Sequence, residues 1–311
     1  MDRRDGVQDR PGGDGFDVVL VAEPAFVTEA DEAIALAGGR LLATIGWDDA
    51  GAVADASPGQ PVLVVEAEGV SDDVLAAGLP LVRELAEARG LHVVAVLGRA
   101  QIDLVAEALM GPGAQLLCEP SLAERVAAIA VAGQASGETM LADGWREGEA
   151  ERLKKLNEEV ARIAEVLARL AKRGEGGGGD EVGDRHLSFG FAPPATEVDP
   201  AAIRQTIRGR RMRDGFFGEN LFEDPAWDML LDLYASYLEG GRVSVSSLCI
   251  AAAVAPTTAL RWIGKMTELH LFERQPDPAD RRRAFMALSP RAVKAMGGYV
   301  AATRRAGVPI A

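Results

Sequence analysis

The sequence has few of the residues that build metal, disulfide or thiol sites. It contains 2 cysteines and 3 histidines in 311 residues. Cys118 and Cys249 lie far apart, in what we expect to be different domains, and the histidines are scattered. So few thiols and imidazoles exclude a disulfide framework and argue against a zinc site. We therefore expect no metal and no cofactor.

The sequence also lacks long apolar runs and recognisable catalytic motifs. The first fifteen residues mix acids and arginines with Gly and Pro, unlike a signal peptide, and no run approaches the ~18 apolar residues of a membrane span. The first predicted strand is followed by Ala22-Glu23-Pro24-Ala25 instead of a Gly-rich phosphate loop, and no Ser/His/Asp or Cys/His constellation is visible. We expect a cytoplasmic protein that is not an enzyme and has no membrane partner.

Positive charge is scarce overall but concentrated at one end. The formal net charge is -14. Residues 1–140 hold 8 Lys and Arg against 23 Asp and Glu, whereas residues 201–311 hold 16 against 11. Such asymmetry indicates that one half repels polyanions and that the other half is suited to bind them.

Short apolar runs alternate with helical patterns between residues 16 and 140. The runs are Val18–Val21, Leu41–Ile45, Val62–Val65, Val93–Leu97 and Gln115–Leu117. Continuous Val/Leu runs are typical of strands buried on both faces, and parallel strands need helical crossovers. The pattern predicts a doubly wound α/β domain over residues 16–140, after a disordered segment over residues 1–15.

The features at the strand ends resemble the receiver domain of bacterial response regulators. Receivers carry two acids after the first strand, a phosphoacceptor Asp after the third and a Lys before a Pro after the fifth. The corresponding positions here hold Ala22 and Glu23, then Glu66, then Glu119 before Pro120. An acid in place of the Lys would repel a phosphate. The resemblance therefore implies a pseudo-receiver whose acidic site is Glu23, Glu66 and Glu119. Glu66 either imitates a phosphorylated Asp permanently or is a solvated carboxylate at a strand end.

A heptad pattern follows over residues 145–173. Its apolar positions recur at alternating spacings of three and four and are Leu153, Leu156, Val160, Ile163, Leu167 and Leu170. Charged residues fill most other positions, which indicates a coiled-coil dimerisation helix; a single amphipathic helix packed on the first domain is the alternative. The Gly-rich, polar stretch over residues 174–198 is predicted to be a flexible linker.

Residues 199–311 are predicted to form helices followed by a basic hairpin. Asp199-Pro200 and Asp224-Pro225 each place a capping residue before a Pro, further helices are expected from near Ser246 and from Pro256, and the face that ends at Gly240 is apolar. On the Pro256 helix, the residues expected to face outwards are Thr257, Thr258, Leu260, Arg261, Gly264 and Lys265, and those expected to face the core are Ala259, Trp262, Ile263 and Met266. The turn at residues 277–283 carries three consecutive arginines.

This segment resembles the MarR family of winged-helix transcriptional regulators over residues 200–305. The wing positions of that family correspond here to Asp277, Asp280, Arg282 and Leu288-Ser289, and Arg274 also matches. The resemblance implies that Arg282 enters the minor groove while Asp280 orients a basic neighbour. His270 stands where the family has a left-handed Gly. The predicted DNA-binding residues are Thr257, Thr258, Arg261, Lys265, Arg274, Asp280, Arg281, Arg282 and Arg283.

The predicted fold class is therefore α/β plus α+β, with a receiver-like parallel sheet, a coiled-coil helix and a winged helix-turn-helix. The predicted function is a sequence-specific regulator that binds double-stranded DNA as a homodimer, with an unknown small molecule or protein as a possible effector. The alternative is a protein-binding adaptor whose winged helix no longer binds DNA. The arginines near residue 210 either contact phosphates or pair with the acidic amino-terminal domain.

Overall fold

The computed structural model describes residues 15–52, 59–136, 198–218, 221–277, 280 and 284–310, all of which belong to one compact unit. The predicted coiled coil at 145–173, the linker up to residue 197, the segment up to residue 14 and Arg281 to Arg283 lie outside the described residues. These assignments, and the predicted domain boundaries, remain predictions.

Residues 15–136, called the α/β part below, contain a five-stranded parallel sheet. Its strands are β1 (Phe16–Val21), β2 (Gly39–Ile45), β3 (Val62–Glu66), β4 (Val93–Leu97) and β5 (Ala114–Cys118), in the order β2-β1-β3-β4-β5. Between and after them lie α1 (Val27–Leu36), α2 (Asp72–Arg89), α3 (Ile102–Leu109) and α4 (122–136). Each of the five apolar runs singled out in the sequence falls inside an observed strand.

The strands are apolar because the sheet is covered on both faces. Every residue of β3 and β4 is buried. Alternate side chains of the strands contribute to two separate cores, one that includes Leu75 and Val105 and one that includes Ile34 and Ile129. Burial on both faces removes the usual alternation of apolar and polar residues. Helix α2 ends at Gly90, whose φ of 62° is in the left-handed region that favours glycine.

Residues 198–310, called the winged-helix part below, combine helices with a small antiparallel sheet. The helices are α5 (Pro200–Met212), α6 (Asp214–Phe217), α7 (Pro225–Glu239), α8 (Val245–Ala252), α9 (Pro256–Glu268) and α10 (Pro290–Ala306). The strands β6 (Val243–Ser244), β7 (Phe272–Pro276) and β8 (Ala284–Leu288) form a sheet in the order β6-β8-β7. Strands β7 and β8 flank the wing.

Capping residues set the helix starts where the sequence predicted them. The Asp199 carboxylate accepts a hydrogen bond from the Ala201 amide at 2.9 Å, and Pro200 is the first residue of α5. Asp224 accepts in the same way from Trp227 at the start of α7. His270, which follows α9, has a φ of 54°, in agreement with the expected left-handed position.

The two parts share one apolar core. The core cluster that includes Val105 and Cys118 of the α/β part continues into Cys249, Leu260 and Ile263 of the winged-helix part. Among the described residues no single helix is long and apolar enough to cross a membrane; α8 and α9 meet the length and composition criteria only together, across a bend of 109°. Shared burial explains why the α/β part and the winged-helix part form one compact unit.

Candidate nucleic-acid interface

Helices α8 and α9 form the helix-turn-helix of the winged-helix part. Helix α8 begins after Ser244, whose hydroxyl accepts a hydrogen bond from the Ser247 amide at 3.1 Å. It ends at Ala253, where a φ of 50° turns the chain, and α9 begins at Pro256. The angle of 109° between the two helices is typical of a helix-turn-helix, whose second helix reads the major groove.

The outer face of α9 presents two cations to solvent. Arg261 and Lys265 are both exposed and lie four residues apart, so they share one face of the helix. The Lys265 ammonium lies 4.8 Å from the centroid of the Trp262 ring, which is half-buried. Arg261 can therefore reach a base edge or a phosphate, and Lys265 can reach a phosphate.

The amino-terminal turn of α9 differs from the sequence expectation. Leu260 was predicted to face outwards, but it is buried with 2% of its surface exposed. Thr257 and Thr258 are half-buried. The Thr257 hydroxyl accepts a hydrogen bond from the Cys118 amide at 3.0 Å and donates to the Cys118 carbonyl at 3.3 Å. The prediction for Leu260 was wrong because it treated the winged helix as isolated, whereas β5 packs against α9.

Arg274 on β7 also contacts the α/β part. Its guanidinium donates to the backbone carbonyl of Glu107 at 2.9 Å and to that of Met110, at the carboxyl-terminal end of α3. Cations are favoured at this end of a helix. A role of Arg274 in binding DNA stays a prediction. So does that of Asp280, which is half-buried.

The arginines at the carboxyl-terminal end of α5 make contacts that neither alternative from the sequence included. Arg210 pairs with Asp228 at 2.7 Å, and Arg211 lies 3.5 Å from the same carboxylate. Asp228 is a buried acid of α7. Arg213 donates to the Arg210 carbonyl and stacks over the Phe222 ring. These three arginines therefore hold the winged-helix part together, while Arg208 is exposed.

The three acids predicted to form a site in the α/β part lie in different environments. Glu66, at the carboxyl end of β3, is 1% exposed and pairs with Arg125 of α4 at 2.7 Å. The interpretation of Glu66 as a solvated carboxylate is therefore wrong. Glu119 does face solvent and pairs with Arg99 at 3.0 Å, and Glu23 is half-buried after β1.

Burial dominates the electrostatics of the Glu66 site. Desolvation raises the pKa of Glu66 to about 7, although Arg125 acts in the opposite direction, and Glu29 and Glu68 add to the rise. Arg125 lies 3.6 Å from Glu29 and 3.8 Å from Glu68. The sequence reasoning missed Arg125; the available signal was an arginine on the same face of α4 as the buried Ala128, Ile129 and Ala132.

The two cysteines lie near the contact between the two parts and are buried. Burial raises the pKa of Cys118 to about 11 and that of Cys249 to about 12. Both thiols are therefore protonated at neutral pH and are poor nucleophiles. Among the described residues, no cluster of three or more His, Cys, Asp or Glu side chains is arranged to hold a metal ion.

A comparison with known protein families agrees with this geometry. Residues 233–292 match the family model of a winged helix DNA-binding domain. A comparison with curated proteins finds no significant match.

Solved structures similar to this chain include MepR from S. aureus bound to ethidium bromide, with 14% identity, a TM-score of 0.24 and coverage of 34% of this chain and 74% of that chain. Another is the transcriptional regulator Tm0710 from Thermotoga maritima, with 22% identity, a TM-score of 0.23 and coverage of 34% and 70%. A third is a probable transcriptional regulator from Pseudomonas aeruginosa, with 24% identity, a TM-score of 0.23 and coverage of 36% and 81%. TM-scores this low carry no argument about the fold or the function of this chain.

The matched segment contains α8, α9 and the strands of the wing, so the family model and the observed helix-turn-helix cover the same residues. Residues 233–292 therefore match a winged-helix DNA-binding domain in sequence and also have its helix-turn-helix and wing strands, which confirms the winged-helix resemblance predicted for this segment.

Proposed function

We propose that this protein is a transcriptional regulator that binds specific sequences in double-stranded DNA as a homodimer in the cytoplasm. The observation that carries the proposal is the exposed pair Arg261 and Lys265 on the second helix of a helix-turn-helix. Two recognition helices of a dimer would enter successive major grooves about 34 Å apart.

The experiment that tests this proposal is selection of bound sequences from a random duplex library by the full chain. A regulator enriches one sequence, and the affinity for it falls steeply with salt because Lys and Arg contacts release counterions. Arg261→Glu should abolish the enrichment. Arg83→Glu is the matched control, because Arg83 is exposed and lies on α2, outside the helix-turn-helix and the helices proposed for dimerisation. No enrichment, together with binding that is independent of salt, would refute the proposal.

The α/β part is proposed to be a pseudo-receiver that does not accept a phosphoryl group. The supporting observation is that Glu66 stands where a receiver has its phosphoacceptor and is enclosed and ion-paired with Arg125. A phosphoryl donor cannot approach a carboxylate with 1% exposure. Incubation with acetyl phosphate and Mg²⁺ should leave the intact mass unchanged, and an increase by one phosphoryl group at Glu66 would contradict this assignment.

Dimerisation is proposed to use the heptad helix predicted at residues 145–173 together with α5 and α10. Apolar side chains exposed near the end of α5, including Met212 at 65% and Phe216 at 79%, are consistent with a protein contact at that end. For an effector, the described part of the chain offers a cavity of about 910 Å³ between α7, the wing strands and α10. Tyr234, Tyr237 and Lys294 are among the residues that line it.

A further inference from the structure

The contact between the α/β part and the winged-helix part involves three polar anchors. Asp103 of α3 accepts hydrogen bonds from the Ser246 amide at 2.8 Å and from the Ser246 hydroxyl at 2.7 Å. The backbone of Cys118 exchanges two hydrogen bonds with the Thr257 hydroxyl. The last turn of α3 accepts from Arg274. We call the surface formed by Asp103, Glu107, Met110 and Cys118 the docking face.

Two of the anchors hold groups at helix amino termini, the positions with which a helix-turn-helix contacts DNA. The amino-terminal residues of a recognition helix contact base edges, and Thr257 is the second residue of α9. Free backbone amides at a helix amino terminus bind phosphates, and Ser246 is the second residue of α8. Asp103 therefore places a carboxylate at the amino terminus of α8, where this helix end would bind a phosphate.

Apolar burial reinforces the anchors. Leu260 lies one turn after Thr257 on the same side of α9 and is buried in the core that includes Val105, Leu109 and Cys118 of the α/β part. Arg261 and Lys265, on the neighbouring side, remain exposed. The docking face thus covers the first turn of the recognition helix and leaves its middle open.

Steric cover and charge together make this arrangement and DNA binding mutually exclusive. The docking face belongs to residues 1–140, which hold 23 acids against 8 bases. A major groove cannot approach the first turn of α9 while β5 lies on it, and the acidic α/β part would also be repelled by phosphates. Separation exposes the Ser246 amide, Thr257 and Arg274 together, so one movement converts the contact into a DNA surface.

We propose that the α/β part is an internal competitor of DNA, and that its docking face holds the winged helix in an autoinhibited state by imitating phosphate contacts. This proposal rests on the proposed DNA-binding function. Any signal that separates the docking face from the winged-helix part increases the DNA affinity. The size of the increase is set by the ratio of closed to open molecules in the absence of the signal.

The test compares full-length Asp103→Lys with the wild type and with Asp31→Lys. Asp31 is exposed on α1, on the sheet face whose core is separate from that of the winged-helix part, so the control makes the same charge change elsewhere. Affinity is measured with a labelled random-sequence duplex of about 30 bp, long enough for two half-sites one helical turn apart. Amide hydrogen exchange at Ser246 and Cys118 reports opening, since both amides donate across the contact.

We expect Asp103→Lys to accelerate exchange at both amides and to bind DNA at least about tenfold more tightly than the wild type, because two hydrogen bonds to a carboxylate are lost. Asp31→Lys should stay within about twofold of the wild type, as exposed charges contribute little. Glu107→Lys, which places a cation beside Arg274, is the second variant if Asp103→Lys does not fold. A cooperative thermal unfolding transition establishes that Glu107→Lys is folded.

Two results overturn the inference. One is faster exchange at Ser246 and Cys118 with unchanged DNA affinity, and the other is unchanged exchange in both docking-face variants. Failure of the proposed function looks different, because then neither the wild type nor any open variant binds the duplex at low salt. If the wild type binds DNA as tightly as an Asp103→Lys variant whose amide exchange shows that it is open, only the autoinhibition is refuted.

Discussion

Replacement of Arg125 by methionine tests the electrostatics of the α/β part most directly. The substitution keeps an apolar stem of similar length but leaves the buried Glu66 carboxylate without its cation. Removal of one partner from a buried ion pair destabilises a protein by about 3–5 kcal/mol, unless the remaining group changes its protonation. Glu66 can take up a proton, so the loss should depend on pH.

The pH dependence follows from the pKa of Glu66, which is about 7 in the folded protein and 4.5 in an unperturbed glutamate. Below pH 4.5 both folded and unfolded states hold the proton, and the group has no effect on stability. Between pH 4.5 and 7 the unfolded state ionises first, so stability falls; above pH 7 the destabilisation is complete at about 3 kcal/mol. Loss of Arg125 raises the pKa of Glu66 further, and an additional loss therefore develops above pH 7.

At pH 9 the additional loss should reach up to about 3 kcal/mol, which lowers the Tm by roughly 6–12 °C for a unit of this size. At pH 5 it should be small. Thermal and urea unfolding of both proteins across this pH range measure the difference. Arg99→Met is the control, since Arg99 and Glu119 are 71% and 46% exposed, and it should leave the Tm unchanged.

The double variant Glu66→Gln/Arg125→Met supplies a second control, because it removes both charges and should have no additional loss at pH 9. An Arg125→Met loss of equal size at pH 5 and pH 9 would show that packing, not the Glu66 charge, decides the stability at this site.

Three further predictions concern the winged-helix part and the assembly. Lys265→Glu should weaken binding to all duplexes and flatten the slope of log affinity against log salt by about one contact, as measured by fluorescence anisotropy at several salt concentrations, and a change confined to one sequence would contradict a phosphate role. Asp228→Ala should destabilise the protein by about 3 kcal/mol or more in urea unfolding, because Arg210 and Arg211 lose a buried partner. The comparison variant is Asp72→Ala, which removes an exposed acid. Leu156→Lys with Ile163→Lys should convert a dimer to a monomer in light scattering, and an unchanged mass would exclude the heptad helix from the interface.

Local sequence patterns predicted the elements of this fold well because those patterns have local causes. The five Val- and Leu-rich runs all lie in strands, since strands buried on both faces need uninterrupted apolar residues. Asp199 and Asp224 marked the starts of α5 and α7, because a carboxylate before a Pro satisfies the free amides of the first turn. The exposure of Arg261 and Lys265 followed from helical periodicity.

The partners of the charged residues depended on packing between distant segments. Arg125 and Glu66 are 59 residues apart, and Thr257 and Cys118 are 139 residues apart. No periodicity within one helix indicates which segment will cover its outer face, so Leu260 was assigned to solvent although β5 packs against α9. The sequence determined by itself which segments form the sheet strands and the main helices, and which helix presents Arg261 and Lys265 to solvent. Only the tertiary structure decided that the first turn of that helix is held by the acidic part of the same chain, because burial and ion pairing at a contact depend on both of its surfaces.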